Sequence, residues 1–167
     1  MKKFLLLFLG IIVLGFTTSC RKDDNSENPA LYTNADKYVK DSDGERYTLD
    51  TAQLIGVKAQ NNTQTNQYTI ILSGTVNGVL RKIELVQSFP FNDKLEGGFS
   101  TTSTIRNISK TQSKYTRGTT VINTFDIITS SIVDMDSHNF KVIFSIKTQG
   151  GEVITGAYTG QFQVDIN

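Results

Sequence analysis

From Phe140 to Lys147 the chain alternates, with Phe140, Val142, Phe144 and Ile146 on one face and Lys141, Ile143, Ser145 and Lys147 on the other. A period of two is that of a strand with one face on a core. Gln149-Gly150-Gly151 turns the chain, and from Val153 the alternation resumes, with Ile154, Gly156, Tyr158, Gly160, Phe162, Val164 and Ile166 on one side. These two segments read as a hairpin. Gly156 and Gly160 on the apolar face predict the close approach of an aromatic ring or a bend. A second hairpin centres on Asn77-Gly78, between the segments 68–76 and 79–86. Asn-Gly supplies the positive φ angles of a two-residue turn, and Tyr68, Ile70, Leu72 and Val76 face Ile83 and Leu85.

Weaker patterns complete the series. Residues 46–60 read as a strand or bent strand pair, 61–66 as a polar loop, 101–108 as an edge strand, and 119–133 as a long β-branched strand ending in a turn at 134–139. No stretch after Cys20 carries helical periodicity. The expected fold class is therefore all-β, an antiparallel sandwich of about seven or eight strands. An up-and-down, lipocalin-like barrel is the alternative. The sandwich is preferred because the alternation is clean in the last strands but broken in the middle, whereas a closed barrel needs it on every strand.

The amino terminus follows another logic. Lys2 and Lys3 precede a 13-residue apolar run, Phe4 to Phe16, and then Thr17-Thr18-Ser19-Cys20. That is a secretory signal layout, too short for a permanent span. Cys20 after three small residues resembles the lipobox of bacterial lipoproteins, although Thr17 stands where a Leu-like residue is usual. Cys20-Arg21-Lys22-Asp23-Asp24 is similar to the start of Bacteroidetes surface lipoproteins, with Lys22, Asp23 and Asp24 matching their outer-face export signal. The resemblance implies lipidation of Cys20 and an outer-membrane, surface-exposed location with the membrane as partner. It covers only the first 25 or so residues and carries no activity. The expected division is a cleaved signal at 1–19, a polar tether at 20–37 and a single β-domain at 38–167. The last strands also resemble those of small β-rich Bacteroidetes lipoproteins in the pattern Ile154-Thr155-Gly156-x-Tyr158-x-Gly160-x-Phe162.

Composition sharpens this picture in two places. The one cysteine among 167 residues excludes an internal disulfide, and its position gives it the lipid instead. Lys plus Arg number 17 against 16 acids, and without Lys2 and Lys3 the count is 15 against 16. A balance so close to neutral argues against a nucleic-acid partner.

The search for chemistry returns little. No nucleophile elbow, zinc-protease motif or nucleotide loop occurs, and no cofactor or metal is expected. Asp41, Asp43, Gly44 and Glu45 lack calcium-loop spacing, and Asp134, Asp136 and His138 read as turn residues. No acid occurs between Gly97 and Phe125, where Arg106, Lys110, Lys114, Tyr115 and Arg117 form a candidate patch for an anionic glycan or head group. The competing reading is a solvated edge. Phe89, Pro90, Phe91 and Phe99 either display rings to a partner or fold under to close one end of the domain. Asp50-Thr51-Ala52 looks like a short O-glycosylation motif of Bacteroidetes exported proteins, with Thr51 as acceptor. The expected function is a non-catalytic binding or interaction module for glycans or a surface protein; the alternative is a carrier of a small apolar ligand.

Overall fold

The two predicted hairpins are the backbone of the domain. In the computed structural model, which describes residues 37–61, 63–133 and 135–166, Asn77 and Gly78 take φ of 51° and 76° and pair Val76 with Val79. The strands in chain order are β1 (Lys37–Lys40), β2 (Arg46–Thr48), β3 (Thr51–Val57), β4 (Thr65–Val76), β5 (Val79–Pro90), β6 (Gly97–Ser100), β7 (Asn107–Ile108), β8 (Lys114–Arg117), β9 (Thr120–Ile122), β10 (Phe125–Val133), β11 (Asn139–Thr148), β12 (Val153–Gln161) and β13 (Gln163–Ile166). Among the described residues there is no helix, so none is long and apolar enough to cross a membrane.

All-β is thus correct, but the sandwich of seven or eight strands is not. The strands form one curled mixed sheet, a half-barrel, whose main path of eleven runs β13-β3-β4-β5-β7-β6-β10-β11-β12-β1-β2. β8 and β9 lie beside that path. The physical reason lies in β5. One edge bonds β4 over its full length, while the other bonds β8 at Arg81–Glu84 and β7 at Gln87–Ser88, so the hydrogen-bonded surface continues where a sandwich would break it. The broken alternation that suggested two sheets comes from the short strands β6 to β9, two to four residues each. The order also departs from a sequential meander, with parallel pairs β13–β3 and β6–β7.

Because the sheet curls, one face supplies both walls of the core. Ile70 and Leu72 on β4 pair with Leu85 and Ile83 on β5, and the same cluster takes in Ile128, Phe140, Val142, Phe144, Ile146 and Ile154 from the opposite wall. Full burial of each such side chain contributes about 1.5–3 kcal/mol. Gly156 is required by this packing: a Cβ there would lie 2.4 Å from Phe144 Cζ, the close ring approach that its place in the pattern predicts. The Phe89 and Phe99 rings are buried and meet edge to face at 5.9 Å, closing one end of the half-barrel.

Two crossings of the chain stitch the ends of the sheet path together. β2 passes through Leu49 and Asp50 into β3; the Leu49 amide donates to Lys37 O on β1 (2.9 Å) and the Asp50 amide to Ser73 O on β4 (2.7 Å). This corner packs so tightly on β4 that a Cβ on Gly74 would stand 2.0 Å from Thr48 O. β12 bends at Phe162, after Gly160 at φ 148°, and continues as β13 alongside β3. The single strand read for 153–166 is therefore two, serving different neighbours.

Candidate functional site

Between the two crossings lies a cleft of about 470 Å³. Its walls are Lys37 on β1, Asp50 at the corner before β3, Asn139 opening β11, and Tyr158, Gln161 and Phe162 along the β12–β13 bend. The local sequence explains each placement. Gly160 at positive φ and the Phe162 amide donating to His138 O (3.0 Å) swing Gln161 outward and hold Phe162 at the rim beside Asn139. The Phe162 ring rests 4.5 Å from that of Phe140, half-buried. Tyr158 is buried below, its hydroxyl donating to Gln161 O at 2.7 Å, and the Lys37 ammonium sits 5.2 Å from its ring centroid.

The cleft carries open hydrogen-bonding capacity. Asn139 spends its Nδ2 on Asp136 (3.2 Å), which leaves its Oδ1 without a partner among the described residues. Among the described residues Asp50 accepts only a long bond from the Thr75 amide, 3.4 Å to Oδ2. The side-chain amides of Gln161 and Gln163 bond to no described residue, and both residues are exposed. Charge is balanced, one ammonium against one carboxylate. Burial, and after it the charge of Asp50, push the Tyr158 phenol above its ordinary value, so it stays neutral. Asp50 is the carboxylate of the described lining, and with the amides of Asn139, Gln161 and Gln163 and an aromatic edge it offers donors and acceptors that hydroxyl groups can satisfy.

The opposite region of the half-barrel is closed by a polar plug. Asp41, 2% exposed, follows β1; its Oδ2 takes Arg81 Nε from β5 at 3.0 Å and its Oδ1 takes the Tyr115 hydroxyl from β8 at 2.5 Å. The Arg81 guanidinium stacks 4.0 Å over the Tyr47 ring, and the Tyr47 hydroxyl donates to Asp43 at 3.0 Å. Asp43 also accepts the Glu45 amide (2.9 Å), which holds its carboxyl below the ordinary value. Asp41 and Asp43 are thus committed to the protein's own donors.

The residues of the candidate basic patch are not brought together. Arg106 folds inward as a clamp: Nε donates to Gly98 O, Nη2 to the carbonyls of Lys94, Leu95 and Glu96, Nη1 pairs with Asp93 at 3.2 Å, and its guanidinium covers the Phe99 ring at 4.4 Å. Lys110 is exposed in a turn, Lys114 is exposed on β8, Tyr115 points inward to Asp41, and Arg117 pairs with Glu152 at 3.2 Å. Thr51 is exposed on the rim of the cleft, 2.7 Å from Ser73 Oγ. Cys20, Lys22, Asp23 and Asp24 lie outside the described residues, as does Asp134. Asp136 accepts the amides of His138 and Asn139 (2.7 and 2.6 Å), a turn geometry that lowers its carboxyl's affinity for protons. Among the described residues no three His, Cys, Asp or Glu side chains are placed to hold a metal ion.

The cleft was not legible in the sequence because its walls come from four separated segments. Its one local signal is Gly160 next to Phe162, where an apolar strand face carries a residue without a side chain. Comparisons with models of known protein families, with curated proteins and with solved structures return no match, so the chemistry of the site is the guide to function.

Proposed function

We propose that the protein is a lipid-anchored, non-catalytic binding module that holds a neutral glycan segment in the cleft at the strand crossings. The observation that carries this reading is the cleft: about 470 Å³, charge-balanced, rimmed by the side chains of Asp50, Asn139, Gln161 and Gln163 with hydrogen-bonding capacity to spare, beside the partly exposed ring of Phe162. Hydroxyl groups of a sugar satisfy such donors and acceptors, and the ring edge takes its apolar face. Behind the cleft the half-barrel is packed with side chains, which favours an external site over an enclosed cargo. Cys20 is the lipid attachment point and Lys22-Asp23-Asp24 the export signal, with the residues up to β1 as spacer; buried acyl chains at about 0.8 kcal/mol per CH₂ hold the domain at the outer membrane.

A glycan array probed with the full mature chain tests the reading. Binding should fall about tenfold or more for Asp50→Ala, which removes a charge-assisted acceptor. Lys110→Ser and Lys114→Ser should leave it unchanged. Absence of glycan binding, or binding indifferent to Asp50 and Gln161, refutes it. Labelling with radioactive palmitate, abolished by Cys20→Ser, tests the anchor separately.

A further inference from the structure

At the end of the half-barrel away from the Asp41 plug, a second cleft of about 380 Å³ opens between β13 and the loop that follows β5. Leu54, Phe89, Leu95, Met135 and Ile166 make its apolar walls. Its lining carries two charged side chains, Lys58 and Asp93, with Asn66, Tyr68 and Asn92 as the other polar groups. Asn66 is buried and gives Nδ2 to the carbonyls of Pro90 and Phe91 (both 3.3 Å), while its Oδ1 accepts the Ala59 amide at 2.9 Å. Asp93 is neutralised by Arg106. Lys58 is the one charged lining residue with no ion pair among the described residues, and it is exposed at the rim.

We propose that this cleft is a second binding site, for a free amphiphile with a short to medium unbranched apolar chain and an anionic head. The chain lies between Met135, Leu95 and Ile166, and the head meets the Lys58 ammonium. The volume decides the size class: ligand sites span about 300–1,000 Å³, and this one, near the lower bound, suits a single short chain rather than a two-chain lipid. The charge decides the head. A carboxylate at the rim gains the Lys58 ammonium, the one cation of the described lining, while an ammonium head is repelled by it. The site is separate from the glycan cleft and does not depend on that reading.

The sequence supplies a reporter, because Met135 and Met1 are the two methionines of the chain and Met1 lies outside the described residues. The full-length chain carrying ¹³C-methyl methionine is titrated with decanoate below its micelle-forming concentration, and in parallel with a decyltrimethylammonium salt. Decanoate should move the Met135 methyl signal saturably and bind more tightly than the cation. Lys58→Glu, at an exposed position, should weaken decanoate about three- to tenfold and remove the preference. Ile166→Trp, on the exposed lip, should abolish the saturable shift, while Asp50→Ala leaves it unchanged. A Met135 signal that does not saturate overturns the proposal. So does a response that is equal for both head groups and indifferent to Lys58→Glu.

Discussion

Arg81→Met is the perturbation that most directly tests how the half-barrel is closed. Arg81 and Asp41 are 5% and 2% exposed, and their 3.0 Å contact links β5 to the end of β1 across 40 residues of sequence. With the guanidinium removed, the Tyr115 hydroxyl is the one side-chain hydrogen bond left to the Asp41 carboxylate among the described residues, in a site with almost no access to water. Breaking a buried pair in this way costs about 3–5 kcal/mol, most of it the uncompensated charge. The methylene stem of Met refills much of the space over the Tyr47 ring, so little of the loss comes from a cavity. Against a typical total of about 5–15 kcal/mol, that is a large fraction. Urea unfolding followed by far-UV circular dichroism, with Arg81→Met, Asp41→Leu, the double variant and the double variant carrying Tyr115→Phe, separates the terms. The double variant should recover most of the loss, because the charge leaves with its partner. Adding Tyr115→Phe should recover the remainder, since its hydroxyl then needs no acceptor. A cost below about 1 kcal/mol for Arg81→Met, or a double variant no better than the single ones, would show that the pair is hydrated and that the plug does not seal the core.

Other outcomes follow from the same geometry. Tyr115 and Tyr68, by burial, and Tyr158, by burial and Asp50, have phenols raised above the ordinary value of 10.0, and Tyr47 is raised first by its bond to Asp43. The folded state therefore keeps protons that the unfolded state releases. Stability is full below pH 10 and falls as the pH climbs above it, so tyrosinate absorbance should appear together with unfolding in an alkaline titration. Gly156→Ala places a methyl 2.4 Å from Phe144 Cζ and 2.5 Å from Tyr38 O, and should lower stability by about 1–3 kcal/mol, read as a lower urea midpoint. Arg106→Ala frees the carbonyls of residues 94–96 and 98 and uncovers Phe99; protection of amides in 91–100 from hydrogen exchange should drop while that of β4 and β11 holds.

The sequence by itself determined the strands whose partner is close along the chain. Asn77-Gly78 imposes a turn, and the alternation on either side leaves one register that buries Ile70, Leu72, Ile83 and Leu85 together; a slip of β5 by one residue would turn Ile83 and Leu85 to the other face. The hairpin of β11 and β12 is legible for the same reason, as is the aromatic contact at Gly156. Strands of two to four residues, such as β7 and β8, hold too few positions to show a period, so the edge on which β5 continues the sheet was invisible, and with it the choice between a sandwich and one curled sheet. Side-chain direction explains the fate of the basic stretch. Successive residues of a strand face opposite ways. Lys114 therefore stays in water while Tyr115 enters the core, and Arg106, off the strands, is drawn to carbonyls that only the folded 91–98 loop gathers. Proximity in sequence made these residues look like a patch, and tertiary structure distributed them. It also assembled both clefts from segments more than a hundred residues apart, because hydrogen-bonded closure of a sheet is settled by long-range register, which no local pattern of apolar and polar residues encodes.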